Sequence, residues 1–376
     1  QPEPVELNFW GVEDRPVFSD VFASHQTLNP HVKINYRRIN EELFEAELLN
    51  ALAANEQVDI VMFKNSWLPK HFDKITPVAP EQLTFSQFQS LFPTVAVQDF
   101  APDQIVYATP LYIDTLAMFY NRDIFDSKGI TSPPRHWFEF QNAVAKLKKP
   151  VALGGTDRSV ANASDIVNLL FLQSGAPMVD QTFKRAIFAG QGDNVVSFYT
   201  SFGWPEDGPY SIDSFAGGQT AIIFAYQDQI KDMEERSPFL PHQIAPTPQP
   251  VASSQDVNWA NYYGLAVGRN TLSPLEAWNF ILFMTPNASQ SEKYLNRSQR
   301  PPALRSLINQ RLDEPVMGVF AKQALSARSY PQIDDLIVRE VFNDMIYSVI
   351  TKQLSSYSAA VRAEGEINQI IQRRRK

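Results

Sequence analysis

The sequence predicts an α/β protein built from two domains. Its 376 residues exceed the length that one ordinary hydrophobic core serves, and 44% of them are apolar while 20% are charged, as in ordinary globular proteins. Strand-like alternation and helix-like apolar spacing also take turns along the chain. That order is typical of βαβ units arranged around a mainly parallel sheet.

The first third of the chain carries most of the predicted strands. Polar–apolar alternation and short apolar runs indicate the strands, whereas apolar residues three and four positions apart indicate the helices. In chain order the elements are strand Val5–Trp10, a helix around Phe18–His25, strand His31–Tyr36, helix Glu41–Asn55, strand Asp59–Phe63 and a buried strand within Pro110–Phe125.

The same signals continue to the end of the chain, where helices dominate. The predicted elements are helix Trp137–Lys148, strand Val151–Leu153, helix Ile166–Gln173, a helix, turn and strand over Phe215–Phe224, an extended proline-rich stretch Pro238–Pro250, strand Tyr263–Val267, and helices Ala277–Met284 and Asp335–Leu354.

Composition and motifs argue against several kinds of chemistry. The chain has no cysteine, which removes disulfides, thiol catalysis and cysteine-based zinc sites. Its five histidines show no ligand spacing, and no nucleophile elbow, H-E-x-x-H or phosphate-binding loop occurs. The net charge of −8 argues against nucleic-acid binding, and the basic run Arg373–Lys376 is interpreted as a solvated end. We therefore predict no catalytic residue, no metal site and no cofactor.

Aromatic and polar residues recur together at the ends of predicted strands. In open α/β sheets, ligands bind outside the carboxyl ends of the strands. An aromatic ring offers an apolar face to a sugar, while carboxylates and amides bond to the hydroxyls around its edge. Each aromatic taken singly is also compatible with core packing. The candidate ligand-binding residues of this kind are Trp10, Glu13, Asp14, Asn65, Trp67, Tyr226, Asp228, Trp259 and Tyr262.

Tyr112 and Asp114 form a further candidate pair inside an otherwise apolar segment. Alternate residues of an extended segment point to the same side, so a phenol and a carboxylate share a face there. One hypothesis places both against a ligand, with Asp114 accepting a hydroxyl hydrogen bond. The alternative is a structural carboxylate paired with backbone or with a basic side chain.

Several landmarks in the same order resemble bacterial extracellular solute-binding proteins of ABC importers, the group that includes the maltose/maltodextrin-binding proteins. The strongest is the run from Val106 through Tyr112, Asp114 and Tyr120-Asn121-Arg122-Asp123 to Phe125. The others follow it along the chain: Gly129-Ile130, Pro133-Pro134, Trp137-Phe138-Glu139, Phe215–Ile222, Tyr263–Val267, Ala277–Phe280 and Arg300-Pro301-Pro302-Ala303.

The resemblance implies two α/β lobes of the type II periplasmic-binding-protein fold, joined by hinge segments. It assigns residues 1–111 and 263–312 to the N-terminal lobe, and residues 115–259 and 315–376 to the C-terminal lobe. The hinge crossings fall at 112–114, 260–262 and 313–314. A ligand is expected in the cleft between the lobes, where closure lets both lobes contact it.

The resemblance also implies a binding protein rather than an enzyme. It would capture a carbohydrate, expected to be an oligosaccharide, and deliver it as a monomer to the permease subunits of the importer. The chain starts at Gln1 without Met or an apolar leader, which is typical of an exported mature chain, either periplasmic or held at the cell surface by an N-terminal lipid. Maltodextrin binders carry an aromatic near the start of the late helix, whereas Ile333–Ile337 contains no tryptophan.

Two other functions stay open on the residues themselves. Glu13, Asp14, Asp114 and Asp228 converging on one site would suit a cation, so one alternative is the same scaffold binding a polyamine, a peptide or another organic solute. An α/β hydrolase or lyase is the remaining alternative, and no nucleophile–base arrangement in the sequence supports it.

Overall fold

The computed structural model describes residues 3–251 and 255–374, with the backbone alone for Asp232. The chain divides into two compact units, each assembled from two separate stretches. Unit 1 comprises Gln1–Asp114 and Asn261–Asp313, and unit 2 comprises Thr115–Ala260 and Glu314–Lys376. The α/β class predicted from the sequence is confirmed.

Strands and helices alternate along the described residues. The strands are β1 Val5–Gly11, β2 Val32–Arg38, β3 Ile60–Lys64, β4 Ile75–Thr76, β5 Thr109–Pro110, β6 Asp114–Thr115, β7 Ala117–Asn121, β8 Ile222–Ala225, β9 His242–Ala245, β10 Asn258–Asn261, β11 Tyr263–Gly268 and β12 Ala327–Arg328. The helices are α1 Ser19–Leu28, α2 Glu41–Ala53, α3 Leu68–His71, α4 Phe85–Leu91, α5 Thr94–Phe100, α6 Arg122–Ser127, α7 Trp137–Leu147, α8 Ala163–Gln173, α9 Gly192–Thr200, α10 Ser211–Ala216, α11 Gln227–Arg236, α12 Pro274–Met284, α13 Ala288–Ser298, α14 Arg305–Arg311, α15 Met317–Leu325, α16 Asp335–Ile350 and α17 Ser356–Arg374.

The sheet of unit 1 is mixed rather than mainly parallel, which corrects the sequence-based expectation. Its strand order is β2-β1-β3-β11-β4, with β5 also paired to β11. The first three strands are parallel, as βαβ units require, and β1 and β2 stay in register from Val5 opposite Val32 to Gly11 opposite Arg38. Strand β11 runs antiparallel to β3, β4 and β5.

The direction of β11 follows from where the chain exits unit 1 and where it returns to it. The first stretch leaves unit 1 just after β5, and the second stretch enters it just before β11. The two strands lie side by side, with Pro110 opposite Gly264 and Thr109 opposite Leu265. The chain therefore exits unit 1 after β5 next to the point where it returns at the start of β11. Neighbouring strands of that kind are antiparallel. Gly264 is required there because a Cβ would lie 2.6 Å from the carbonyl oxygen of Thr109.

Unit 2 is built around a small antiparallel sheet covered by long helices. Strand β7 lies between β8 and β9 and is antiparallel to both, so the parallel expectation is wrong here as well. A separate three-stranded sheet has the order β12-β10-β6, and within it β10 and β12 are parallel, with Trp259 opposite Arg328. Helices α8, α9, α16 and α17 pack together over the apolar core of this unit.

Three predicted elements differ from the structure in extent. Val151–Leu153 makes only a single parallel bridge, Val151 to Ile222, because the Leu153 N–H turns back to bond the Val151 carbonyl. The buried strand expected within Pro110–Phe125 is divided into β5, β6, β7 and the start of α6. The late helix ends at Ile350 instead of Leu354, since Lys352 adopts a φ of 60° that an α-helix does not accommodate.

Candidate functional site

One guanidinium group in unit 1 contacts three of the predicted site residues. Arg300 Nε lies 3.2 Å from Glu13 Oε1, and Arg300 Nη1 lies 3.8 Å from Asp114 Oδ2. The Arg300 Cζ atom also lies 4.6 Å from the centre of the Tyr112 ring. We name Glu13, Tyr112, Asp114 and Arg300 the arginine cluster. Its existence agrees with the shared face predicted for Tyr112 and Asp114, because both meet the same side chain.

The Glu13 end of the arginine cluster is held by two tyrosines. Tyr294 donates its hydroxyl to Glu13 Oε2 at 2.9 Å, and Tyr36 donates its hydroxyl to the Glu13 carbonyl oxygen at 2.6 Å. Burial, followed by the negative charge of Glu13, raises the pKa of both phenols well above the usual range. Both tyrosines therefore act as neutral hydrogen-bond donors.

Asp14 lies apart from this cluster on the surface of unit 1. Its carboxylate pairs with Arg38 Nε at 3.0 Å, and both side chains are more than half exposed. A surface ion pair of this kind contributes about 0–1 kcal/mol to stability. Proximity to Glu13 in the sequence therefore does not bring Asp14 into the buried arginine cluster.

Trp10 and Trp67 are buried and already engaged with other side chains of unit 1. The Arg37 guanidinium lies 4.4 Å from the centre of the Trp10 ring, as expected for residues directly opposite each other on β1 and β2. Trp67 packs against Phe44 and Phe63, with ring centres 5.8 and 5.7 Å away. These contacts are those of core residues.

Asn65 and Tyr262 share Asp99 as a common partner. Asn65 Nδ2 and the Tyr262 hydroxyl donate to Asp99 Oδ2 at 3.1 and 2.7 Å. The backbone N–H of Asn65 bonds the Tyr262 carbonyl, and Asn65 Oδ1 accepts the backbone N–H of Tyr262. This network joins the end of β3 to the start of β11.

Tyr226, a predicted site residue of unit 2, contacts helix α8, which carries two polar side chains that the sequence did not single out. The Tyr226 hydroxyl donates to Asp165 Oδ2 at 2.5 Å. The Tyr330 hydroxyl donates to Asn168 Oδ1 at 2.6 Å. Asp165 and Asn168 are three residues apart, so they lie on one face of the helix. Asp228, in the first turn of α11, is exposed.

Trp259 joins this group through Tyr330. The two ring centres are 5.9 Å apart and the planes are inclined at 51°. Trp259 is only 6% exposed, yet its indole N–H has no hydrogen-bond acceptor among the described residues. We name Asp165, Asn168, Tyr226, Trp259 and Tyr330 the aromatic cluster. A buried donor without an acceptor costs about 1–3 kcal/mol, so this N–H is suited to a partner from outside the chain.

Both negative and positive charges lie around the aromatic cluster, from carboxylates and from Arg339. Desolvation acts to lower the pKa of Arg339, but the carboxylates of Asp165 and Asp157 outweigh it and leave the pKa above its usual value. The positive charge of Arg339 is thus present at every pH of interest. Among the described residues, no group of three or more His, Asp or Glu side chains is arranged to hold a metal ion.

A family model described as the bacterial extracellular solute-binding proteins matches residues 17–291. The chain belongs to this family. The family predicted from the sequence landmarks is therefore confirmed, and its description is that of a binding protein and not of an enzyme. Within the part of the chain that the structure describes, no helix combines the length and apolar character needed to cross a membrane.

Solved structures similar to this solute-binding protein cover nearly the whole chain. The sugar-binding protein MalE from Xanthomonas citri superposes with a TM-score of 0.85 at 19% identity, covering 98% of each chain. The cyclic alpha-maltosyl-1,6-maltose binding protein from Arthrobacter globiformis gives 0.83 at 16% identity, covering 98% of this chain and 99% of the other. At these identities the likeness establishes the two-lobed fold.

A binding protein of Brucella abortus (strain 2308) is 25% identical over 140 residues. That match covers 37% of this chain and 33% of the relative, so the solute-binding protein matches about a third of the length of its curated relatives.

Sequence reasoning missed four residues that complete the two clusters. They are Asp165, Asn168, Arg300 and Tyr330. Arg300 stands at the head of the landmark Arg300–Ala303, so it had a signal in the sequence that went unused. Asp165 and Asn168 have none, because on an apolar helix such as α8 two polar residues indicate only an exposed face.

Proposed function

We propose that this protein captures a carbohydrate for an ABC importer, with the aromatic cluster of unit 2 as the main recognition surface. The observation that carries the proposal is the buried indole N–H of Trp259, which has no acceptor among the described residues and lies beside Tyr330. A sugar hydroxyl or ring oxygen would complete that hydrogen bond, and the rings would cover the apolar face of the sugar.

The mixture of groups in the aromatic cluster favours a neutral polyhydroxylated ligand. Asp165 supplies a carboxylate, Asn168 an amide, and Tyr226 and Tyr330 supply phenols. Hydroxyl groups both donate and accept, so they suit such a set, whereas a purely acidic site suits a cation. Two proteins of the same fold, from Xanthomonas citri and Arthrobacter globiformis, are described as binding a sugar and a cyclic maltosyl-maltose.

The positive charges argue against a polyamine as the solute. Arg300 stands against Glu13 and Asp114, and Arg339 stands among the carboxylates of unit 2. A cationic ligand approaching these carboxylates would meet a guanidinium already beside them. We therefore retain the polyamine or peptide only as an outcome that the ligand screen below can return.

Unit 1 contributes in two ways under this proposal. Asp114, with Tyr112 and Glu13, would accept hydrogen bonds from the ligand, and the exposed carboxylate of Asp14 would lie at the rim. The other candidates, Trp10, Asn65, Trp67 and Tyr262, would support the site from within the unit, because their rings and polar atoms already contact neighbouring side chains.

We also propose an exported protein that works as a monomer with the permease subunits of the importer. The family is extracellular by description. A periplasmic location and an N-terminal lipid anchor at the cell surface are both compatible with that. Mass spectrometry of the native protein extracted from membranes and from the soluble fraction would distinguish them.

A thermal-shift screen tests the carbohydrate proposal. The panel contains glucose, maltose, maltotetraose, raffinose and cellotriose, with spermidine, putrescine and a tripeptide as the competing classes. A ligand that binds only the folded protein raises the melting temperature by mass action. We expect at least one saccharide to raise it and the cations and tripeptide to leave it unchanged. A shift with spermidine or the tripeptide alone would replace the carbohydrate with that class.

A further inference from the structure

The Arg300 side chain contacts each of the other three members of the arginine cluster. Its Nε contacts Glu13, its Nη1 faces Asp114 and its flat face covers Tyr112, at 3.2, 3.8 and 4.6 Å. The Arg300 and Asp114 side chains are only 16% and 2% exposed, so solvent screens this pair little. Three contacts to one planar group fix its orientation more firmly than an isolated ion pair does.

The other end of the arrangement is anchored independently of Arg300. Glu13 receives the Tyr294 hydroxyl on its second carboxylate oxygen, and its own carbonyl oxygen receives the Tyr36 hydroxyl. Glu13 is therefore held by the core of unit 1, and Arg300 is held by Glu13. The consequence is a chain of contacts that runs from the unit 1 core to Asp114.

Asp114 lies at the far end of this series of contacts. It is the last residue of the first stretch of unit 1, and it belongs to β6, a strand of two residues. So short a strand offers few backbone hydrogen bonds, so side-chain contacts matter more for holding this residue in place. Arg300, which follows the end of α13 by two residues, supplies one such contact through its charge and its bulk.

We infer that Arg300 is a positioning residue for ligand binding: held in place by its contacts with Glu13 and Tyr112, it orients Asp114 without touching the ligand itself. The inference rests on the proposed function, in which Asp114 accepts a ligand hydroxyl. It assigns a role to a residue that is not among the candidate ligand-binding residues predicted from the sequence. Lysine at this position would keep the charge but lose the planar face over Tyr112.

The test is a double-mutant cycle on the full chain, measured by titration calorimetry. The probe is the saccharide of the panel above that gives the largest thermal shift. We expect Asp114→Asn and Arg300→Gln each to weaken binding about 10- to 100-fold, as for loss of a hydrogen bond to a charged group. The double variant should bind no more weakly than Asp114→Asn alone, because Arg300 acts through Asp114. Arg300→Lys should restore part of the affinity.

Arg297, in the last turn of α13 and three residues before Arg300, provides a matched control. It pairs with Asp20 at 2.6 Å, and both side chains are nearly half exposed. Arg297→Gln should leave affinity unchanged, as expected for a surface ion pair. Circular dichroism and thermal unfolding confirm that each variant is folded, and Arg300→Lys keeps the test valid if Arg300→Gln unfolds.

The possible results separate this inference from the proposed function. If no saccharide raises the melting temperature of the wild-type protein, the carbohydrate proposal fails, and the inference about Arg300 fails too because it rests on that proposal. If Asp114→Asn weakens binding but both Arg300 variants bind normally, only the inference is overturned. Additive losses in the double variant would also overturn it, since they would mean that Arg300 acts independently of Asp114.

Discussion

Trp259 differs from other buried tryptophans of the chain in the environment of its indole N–H. Trp137 donates to Gln173 Oε1 at 2.6 Å and Trp278 donates to the Thr76 carbonyl at 3.1 Å. Trp259 and Trp204 have no acceptor among the described residues. Of these two, Trp259 alone lies in contact with Tyr330, so its N–H is the one that the proposed ligand would satisfy.

Substituting Trp259 by phenylalanine should separate hydrogen bonding from ring contact. Trp259→Phe keeps an aromatic face but removes the donor, so we expect about 3- to 10-fold weaker saccharide binding, or ~1 kcal/mol. Trp259→Ala also removes the ring and should weaken binding by about 10- to 100-fold. Calorimetric titration measures both. Trp278→Phe, which removes a hydrogen-bonded N–H in unit 1, is the control. It should lower the free energy of unfolding and leave saccharide affinity unchanged. Equal affinity of Trp259→Phe and wild type would exclude the hydrogen-bonding role.

His25 provides a second residue-scale prediction, which concerns stability. It is buried between Phe280 and Phe283, and its Nδ1 has no partner among the described residues. Burial, with a smaller contribution from His31, lowers the pKa of His25 from 6.5 to about 4. Between these two values the unfolded chain binds a proton that the folded chain does not. Stability due to this group is therefore fully present above pH 6.5 and falls as the pH drops toward 4.

We expect the protonation of His25 to lower the free energy of unfolding by about 2–3 kcal/mol at pH 4, from 1.4 kcal/mol per pKa unit. Chemical denaturation of wild type and His25→Phe at several pH values isolates the contribution of His25, because the carboxylates titrate equally in both proteins. The stability of the variant relative to wild type should rise as the pH falls from 6.5 to 4. A difference that stays constant with pH would show that His25 titrates normally.

At the scale of elements, local pattern predicted which segments form helices and strands but not how the strands run. Strand β1, strand β2 and helix α2 appear within two residues of their predicted bounds, because alternation and helical spacing are local properties. The sense of β11 depends on where the chain re-enters unit 1, which no local pattern encodes. Tyr330 was missed for the same reason: its partners Asn168 and Trp259 are distant in sequence.

The start of α16 shows how an element can be fixed from two sides. Asp334 caps the helix by accepting the backbone N–H groups of Leu336 and Ile337. Arg374, in the last turn of α17, contacts the other oxygen of Asp334 at 2.5 Å and donates to the Ile333 carbonyl. The basic tail was interpreted as a solvated end, and Arg374 departs from that interpretation.

Two substitutions at Asp334 separate the cap from the ion pair. Asp334→Ala removes both and should lower the free energy of unfolding by about 1–2 kcal/mol. Asp334→Asn keeps a capping oxygen and should cost about 0–1 kcal/mol, the contribution of a partly exposed ion pair. Urea denaturation compares them. If both variants lose the same amount, the ion pair and not the cap is the stabilising contact.

At the scale of the whole molecule, unit 2 depends on the last stretch of the chain for its core. Phe320, Phe342 and Ile346 of α15 and α16 are fully buried in that core. Helix α17 lies so close to α9 that a Cβ on Gly192 would be 2.1 Å from the Ala360 Cβ. The Asn368 side chain also bonds both the N–H and the carbonyl of Ala186. Residues 115–260 therefore do not carry a complete core by themselves.

Unit 1 does not need the last stretch of the chain, since both of its own stretches precede residue 314. A chain ending at Asp313 would retain every strand of its sheet, with residues 115–260 as an inserted loop. The entropy of closing a loop grows only with the logarithm of its length, so a long unfolded insertion is tolerated. We expect trypsin to digest residues 115–260 of this variant rapidly while fragments of unit 1 persist. Mass spectrometry identifies the protected fragments, and a chain ending at residue 374 serves as the control that should resist digestion throughout. Protection of residues 115–260 in the shorter chain would mean that unit 2 folds without α15, α16 and α17.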